Sequence, residues 1–174
     1  MLAGLDKEIE EFIRLLEKQN QALKTLITLQ EEKRPIIILG KIEELNRLLP
    51  KEGIIVSNLE KLEDARFKLH LKLAQRWEMS VKELPARLIL AKVKECCPEW
   101  SEKMESIVEQ LEKNLFYLKT TNNNNNDLLN QSLEYVNTMQ AILNGDVAGT
   151  YSDSGTQVDE SSSRPIKRLL DKKI

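Results

Sequence analysis

Aromatic residues are scarce in this chain, at 5% of 174 positions, and glycines and prolines number only six and five. So few aromatic and turn-forming residues suit helices and suit a sheet poorly. Histidine occurs once, at His70, which removes any histidine-based metal set or catalytic dyad. The two cysteines, Cys96 and Cys97, are neighbours; adjacent cysteines rarely bridge each other and lack the CxxC spacing of a zinc site. Two lone thiols without a secretory signal point to a reducing cytosol, hence a cytoplasmic protein. The longest apolar runs, "PIIIL" ending at Leu39 and "GIIV" ending at Val56, fall far short of the ~20 residues of a membrane span. Charge of one sign is also lacking. With 26 basic and 28 acidic residues the net charge is −2, which argues against a nucleic-acid binder. No glycine-rich phosphate loop, GxSxG or HExxH is present. Neither an enzyme, nor a cofactor, nor a metal centre is expected.

What is abundant is charge, at 31%, interleaved with leucine and isoleucine at helical spacing. Leu2, Leu5, Ile9, Phe12, Leu16, Leu23 and Leu26 trace a heptad seam broken at Gln19. It predicts a first helix over roughly residues 4–38, kinked at Pro35 or ended at Arg34, with Gly40 as its C-terminal cap. A second helix is expected from Lys41 to about Trp77, with a kink or break near Leu49 because Pro50 and Gly53 follow. "SVKE", Ser80 to Glu83, reads as a capping box for a short helix near Ser80 to Ala91. Pro98 then suits the first position of a new helix, with Glu99 and Glu102 favouring its positive end.

That last helix contains five consecutive asparagines, Asn122 to Asn126. Trp100, Met104, Ile107, Leu111, Leu115 and Leu118 form a stripe that would continue through Asn122 and Asn125 and resumes at Leu129, Leu133 and Val136. Leu118 and Leu129 stand eleven residues apart, three helical turns, so they share a face within about 20°. A loop has no reason to keep that phase. One helix from about Glu99 to Asn144 is expected, although five asparagines cost on the order of 3 kcal/mol against alanine.

The domain organisation expected is therefore a helical domain over residues 1–144 and a tail over 145–174. The tail is rich in Gly, Ser, Thr and Asp, cannot offset its ordering entropy and is expected to be disordered. It ends in "RPIKRLLDKKI", where Ile166, Leu169, Leu170 and Ile174 can share one helical face among basic residues. Two readings of that ending stay open: it folds back onto the last helix as a tethered competitor, or it stays free. The fold class is all-α, an elongated antiparallel bundle of three long helices, coiled-coil-like, with one short extra helix.

In "LQEEKRPIIILGKIEEL" and "NNNNNDLLNQSLEYVNTMQAIL", with a looser "GTYSDSGTQ" and a terminal "RLLDKKI", the chain resembles the FlgN family of flagellar type III export chaperones over essentially its whole length. Pro35 and Pro50 depart from the unbroken helices of that family. The resemblance implies a cytosolic protein that binds the hook–filament junction proteins FlgK and FlgL through their amphipathic helices and delivers them to the export apparatus. It places the client site on the Leu118 to Leu143 part of the last helix, with Leu118, Asn122, Asn125, Leu129, Leu133 and Val136 as candidate contacts. It assigns Tyr151 to the export gate protein FlhA. Asparagines within the stripe would set register, as a buried Asn does in coiled coils. The competing reading is a structural coiled coil, a homodimeric spacer without a client, whose seams would be fully covered.

Overall fold

The computed structural model describes residues 2–144, with side chains from Gly4 onward. The chain divides into two compact units, Met1–Ser132 and Leu133–Ile174, and the described part of the second is residues 133–144. The expected tail, with Tyr151 and the basic ending, lies outside the described residues. Four α-helices follow in order, α1 (Leu2–Ile38), α2 (Ile42–Arg76), α3 (Ala86–Cys96) and α4 (Pro98–Leu143), with a 3-10 turn at Val81–Glu83 between α2 and α3. No strand occurs among the described residues.

In the first unit, polar partners reveal the helix directions. Arg76 meets Glu8, Glu63 meets Gln19 and Glu52 meets Gln30, so α2 descends as α1 ascends. Asp6 meets Cys97, Glu17 meets Lys103, Asn20 meets Asn114 and Gln30 meets Asn125, so α4 runs parallel to α1. The bundle is up, down, up. α1 and α2 approach most closely. α4 stands further off, and meets α1 through apolar core residues such as Met104 and Ile107 as well as polar pairs such as Asn20–Asn114. The core gathers at the end where α3 closes the bundle, with Ile9, Ile13, Leu73, Leu84, Ile89 and Met104 almost fully buried.

Two turns share one geometry. After α1, Gly40 takes φ +64°, while the amides of Gly40 and Lys41 bond the carbonyls of Ile37 and Ile36. This is the Schellman termination, and glycine suits its left-handed position. After α2, Glu78 takes the same place at φ +53°, with Glu78 and Met79 bonding Gln75 and Ala74. A side chain there is strained.

The prolines correct the expected helix limits. α1 passes through Pro35 to Ile38, and α2 passes through Pro50 and Gly53 without a break. Leu45, Leu48, Glu52, Ile55 and Leu59 keep one 3-4 spacing across Pro50 and all face inward to some degree. Pro50 itself is exposed, so water can serve the carbonyl that its ring leaves unbonded. Packing outweighs propensity. The short helix expected near Ser80 to Ala91 is instead split at Pro85: the Ser80 amide bonds Glu83 at 3.1 Å over a 3-10 turn, and α3 runs from Ala86 to Cys96. α4 begins at Pro98 and is helical across all five asparagines.

Candidate binding surface

Two polar layers cross the seam of the first unit. In one, Gln19 donates to Glu63 at 2.9 Å, Glu63 also receives Arg66, Asn20 donates to Gln110 at 3.0 Å, and Asn114 donates to Asn20 at 2.6 Å. The Arg66 hydrogen bonds, aided by Gln19 and opposed by burial, hold the Glu63 carboxyl below its usual range. In the other, Lys33 pairs with Glu52 at 2.7 Å with side chains only 6% and 12% exposed. Gln30 donates to Glu52 at 3.0 Å, and the Asn125 side-chain nitrogen donates to both the backbone and side-chain carbonyls of Gln30 at 2.8 Å. Asn125 is 0% exposed, and its own carbonyl oxygen has no partner among the described residues.

The layers are spaced eleven residues apart on every helix: 19 to 30 on α1, 63 to 52 on α2, 114 to 125 on α4. Eleven residues are three helical turns, so each layer repeats on the same face. A slip of one turn would leave buried carboxylate, ammonium and amide groups unpaired, which is how polar seam residues specify register.

The candidate residues on α4 separate accordingly. In the first unit, Asn125 is buried against α1, whereas Leu118, Asn122 and Leu129 are half-buried. In the second unit, Leu133 and Val136 are 60% and 48% exposed. The stripe drawn through Leu115 is corrected: Leu115 is 53% exposed, and Asn114 takes the seam position. Coiled packing advances 3.5 residues per turn, so the seam steps from Leu111 to Asn114 and Leu118.

Residues 133–143 carry the largest exposed apolar face of α4. At 100° per residue, Leu133, Val136, Leu143, Met139, Tyr135 and Ile142 lie within about half of the helix circumference, interrupted only by Gln140 between Leu133 and Val136, and all six are exposed. Glu134, Asn137 and Thr138 occupy the other half. Such a half-cylinder can bury one amphipathic partner helix.

In the first unit, an apolar cleft of about 440 Å³ opens between the hairpin, α3 and α4, walled by Phe12, Leu16, Leu23, Met104 and Leu111. His70 stands at its edge and donates from Nε2 to the Leu84 carbonyl at 2.8 Å, fastening the turn between α2 and α3. Of the layer residues, only Gln19 and Asn125 stand on the stripes drawn from the sequence. Their only sequence signal is a polar residue at a seam position.

No helix among the described residues is long and apolar enough to cross a membrane. Comparison with curated proteins and with solved structures gave no match. The family model described as FlgN protein matches residues 1–159, taking in all four helices. This match over nearly the whole length shows that the chain belongs to the FlgN family of flagellar export chaperones.

Proposed function

We propose that this chain is a cytoplasmic chaperone that holds the C-terminal amphipathic helices of the junction proteins FlgK and FlgL, blocks their early assembly and passes them to the export apparatus. The observation that carries the reading is the exposed apolar half-cylinder of residues 133–143. Leu133 and Val136 are the proposed anchors; Leu129, Asn122 and Leu118, in the first unit, are proposed as separate client contacts. Asn125 serves differently, setting the register of α4 against α1 within the first unit. Tyr151, from the family resemblance, is the proposed contact to FlhA.

The physical logic is exchange of one apolar contact for another. A client helix left free would self-associate. On the chaperone it gains apolar burial but loses its ordering entropy, so affinity stays moderate and release remains easy. No chemistry is performed on the client.

The test is a calorimetric titration of the full chain with peptides covering the last ~50 residues of each junction protein, since helix-in-groove binding needs only a short segment. Binding that disappears in Leu133→Asp/Val136→Asp, with helical circular dichroism unchanged, supports the reading. Unaltered binding in that variant moves the surface elsewhere. The same exposed face also suits a second copy of the chain. A dimer that the double variant dissociates, with no client bound at any concentration, favours the coiled-coil spacer instead.

A further inference from the structure

The apolar cleft of the first unit lies where the bundle is one helix short. Four helices meet only at the closed end, where α3 packs between α2 and α4 with Ile89 and Val93 buried. α3 is only 11 residues long, while α1, α2 and α4 run on past Ala86 at its start. No hydrogen bond or ion pair joins α2 to α4 among the described residues; each is tied to α1 instead. The cleft begins against Ala86 and Ile89 and continues the α3 lane along α1 from Phe12 to Leu23. Eleven residues on α1 are about 16 Å, or three turns, which is the length of α3 itself.

The floor of this lane is apolar, and so are parts of its rims. Leu59 on α2 is half-buried and Leu115 on α4 is 53% exposed, though both line the cleft. Leu49, Val56 and Phe67 are exposed and stand within about 80° of Leu59 around α2, which widens the apolar rim. The charge there has mostly one sign. Glu63 and Glu112 line the cleft, and Glu60 and Asp64 follow on the exposed side of α2. Arg66 is the one lysine or arginine in the lining among the described residues, and Glu63 already holds it through two hydrogen bonds. Arg87 and Lys119 lie outside that lining. An acidic rim around an apolar lane favours a partner with positive charge beside its apolar face.

We propose that the lane beyond α3 docks one amphipathic helix of another protein, basic on its flanks, which completes a four-helix bundle over three turns. Apolar side chains of that helix enter between Leu23, Leu59 and Leu115, as Ile89 and Val93 do from α3 at the closed end. Lysines or arginines on its flanks meet Glu112 on one side and Glu60 and Asp64 on the other. Apolar burial supplies most of the affinity, and the acids select the partner's charge. The site lies wholly within the first unit and does not rest on the face at residues 133–143.

The test uses the full chain carrying Leu133→Asp/Val136→Asp, so that the other exposed face is silenced. It is titrated with a fluorescein-labelled amphipathic peptide of leucine and lysine, about five turns long, and with the leucine–glutamate counterpart. The expected result is one lysine peptide per chain, bound about tenfold tighter than the glutamate form at low salt, with a margin that shrinks as salt is raised. Adding Leu115→Lys should weaken the lysine peptide by about tenfold or more, the loss of one leucine's burial. Adding Glu112→Lys should weaken it about threefold. Both residues are exposed, so helical circular dichroism should stay unchanged. No binding in this background overturns the proposal, as does equal affinity for the two peptides or an affinity that neither added substitution alters. Two other occupants would also overturn it. Binding that appears only after truncation at Ser163 assigns the lane to the chain's own ending. A dimer that Leu115→Lys dissociates, with no peptide bound, assigns it to a second copy.

Discussion

Asn125 on α4 gives its side-chain nitrogen to two carbonyl oxygens of Gln30 on α1, each at 2.8 Å, in the most buried polar contact of the bundle. Its own oxygen has no partner among the described residues. The five asparagines are therefore not equivalent. Asn125→Asp would set a carboxylate against two carbonyls and remove the only donor, at a cost of roughly 3 kcal/mol or more. Asn123→Ala and Asn124→Ala, at exposed positions, should be neutral or gain about 0.5 kcal/mol from helix propensity. Urea unfolding of the three variants gives the comparison, and equal effects would deny the register role.

The Lys33–Glu52 pair makes a second prediction. Both side chains are nearly buried, and Glu52 also accepts from Gln30. Removing one partner, as in Glu52→Leu, leaves an unpaired ammonium and should cost about 3–5 kcal/mol. Lys33→Met together with Glu52→Leu should recover most of that loss. A double-mutant cycle on urea midpoints measures the coupling, and additive losses would mean that the pair is solvated in solution.

Glu78 holds a left-handed backbone position that suits glycine, as Gly40 does at the end of α1. Glu78→Gly should stabilise the chain by about 1 kcal/mol, because the relief of Cβ strain exceeds the added freedom of the unfolded chain. Thermal and urea unfolding should both shift upward. A lowered midpoint would show that the Glu78 side chain has a stabilising contact of its own.

Glu63 gives a pH dependence. Its carboxyl is held below the usual range chiefly by the Arg66 hydrogen bonds. A depressed folded-state pKa contributes stability above the unfolded value, and that contribution is lost as pH falls through the folded one. Arg66→Met should therefore be less stable than the parent near neutral pH and converge with it in acid below the carboxylate range. Because Glu63 is half exposed, the difference should stay under about 1 kcal/mol. A gap that persists at low pH would assign the effect to lost packing of the Arg66 stem.

Helix existence was legible from local spacing alone. Heptads in α1, Gly40 after it, Pro98 before α4 and the apolar phase kept across Asn122 to Asn126 each involve residues within a few turns of one another. A period of 3.5 or 3.6 residues is a local property, so a single strand of sequence carries it in full. Partnership is not local. Nothing near Asn125 selects Gln30, 95 positions away, and nothing near Cys97 points to Asp6, 91 positions away. Pro50 reads as a break until the α1 face that holds Leu48 and Glu52 in helical phase is present. Leu115 and Asn114 could not be ranked for the seam, because the choice depends on the small difference between 3.5 and 3.6 residues per turn. Packing against a neighbouring helix sets that difference. Long-range contacts are chosen by the joint burial of apolar faces and the pairing of buried polar groups, and those energies arise only when the helices meet.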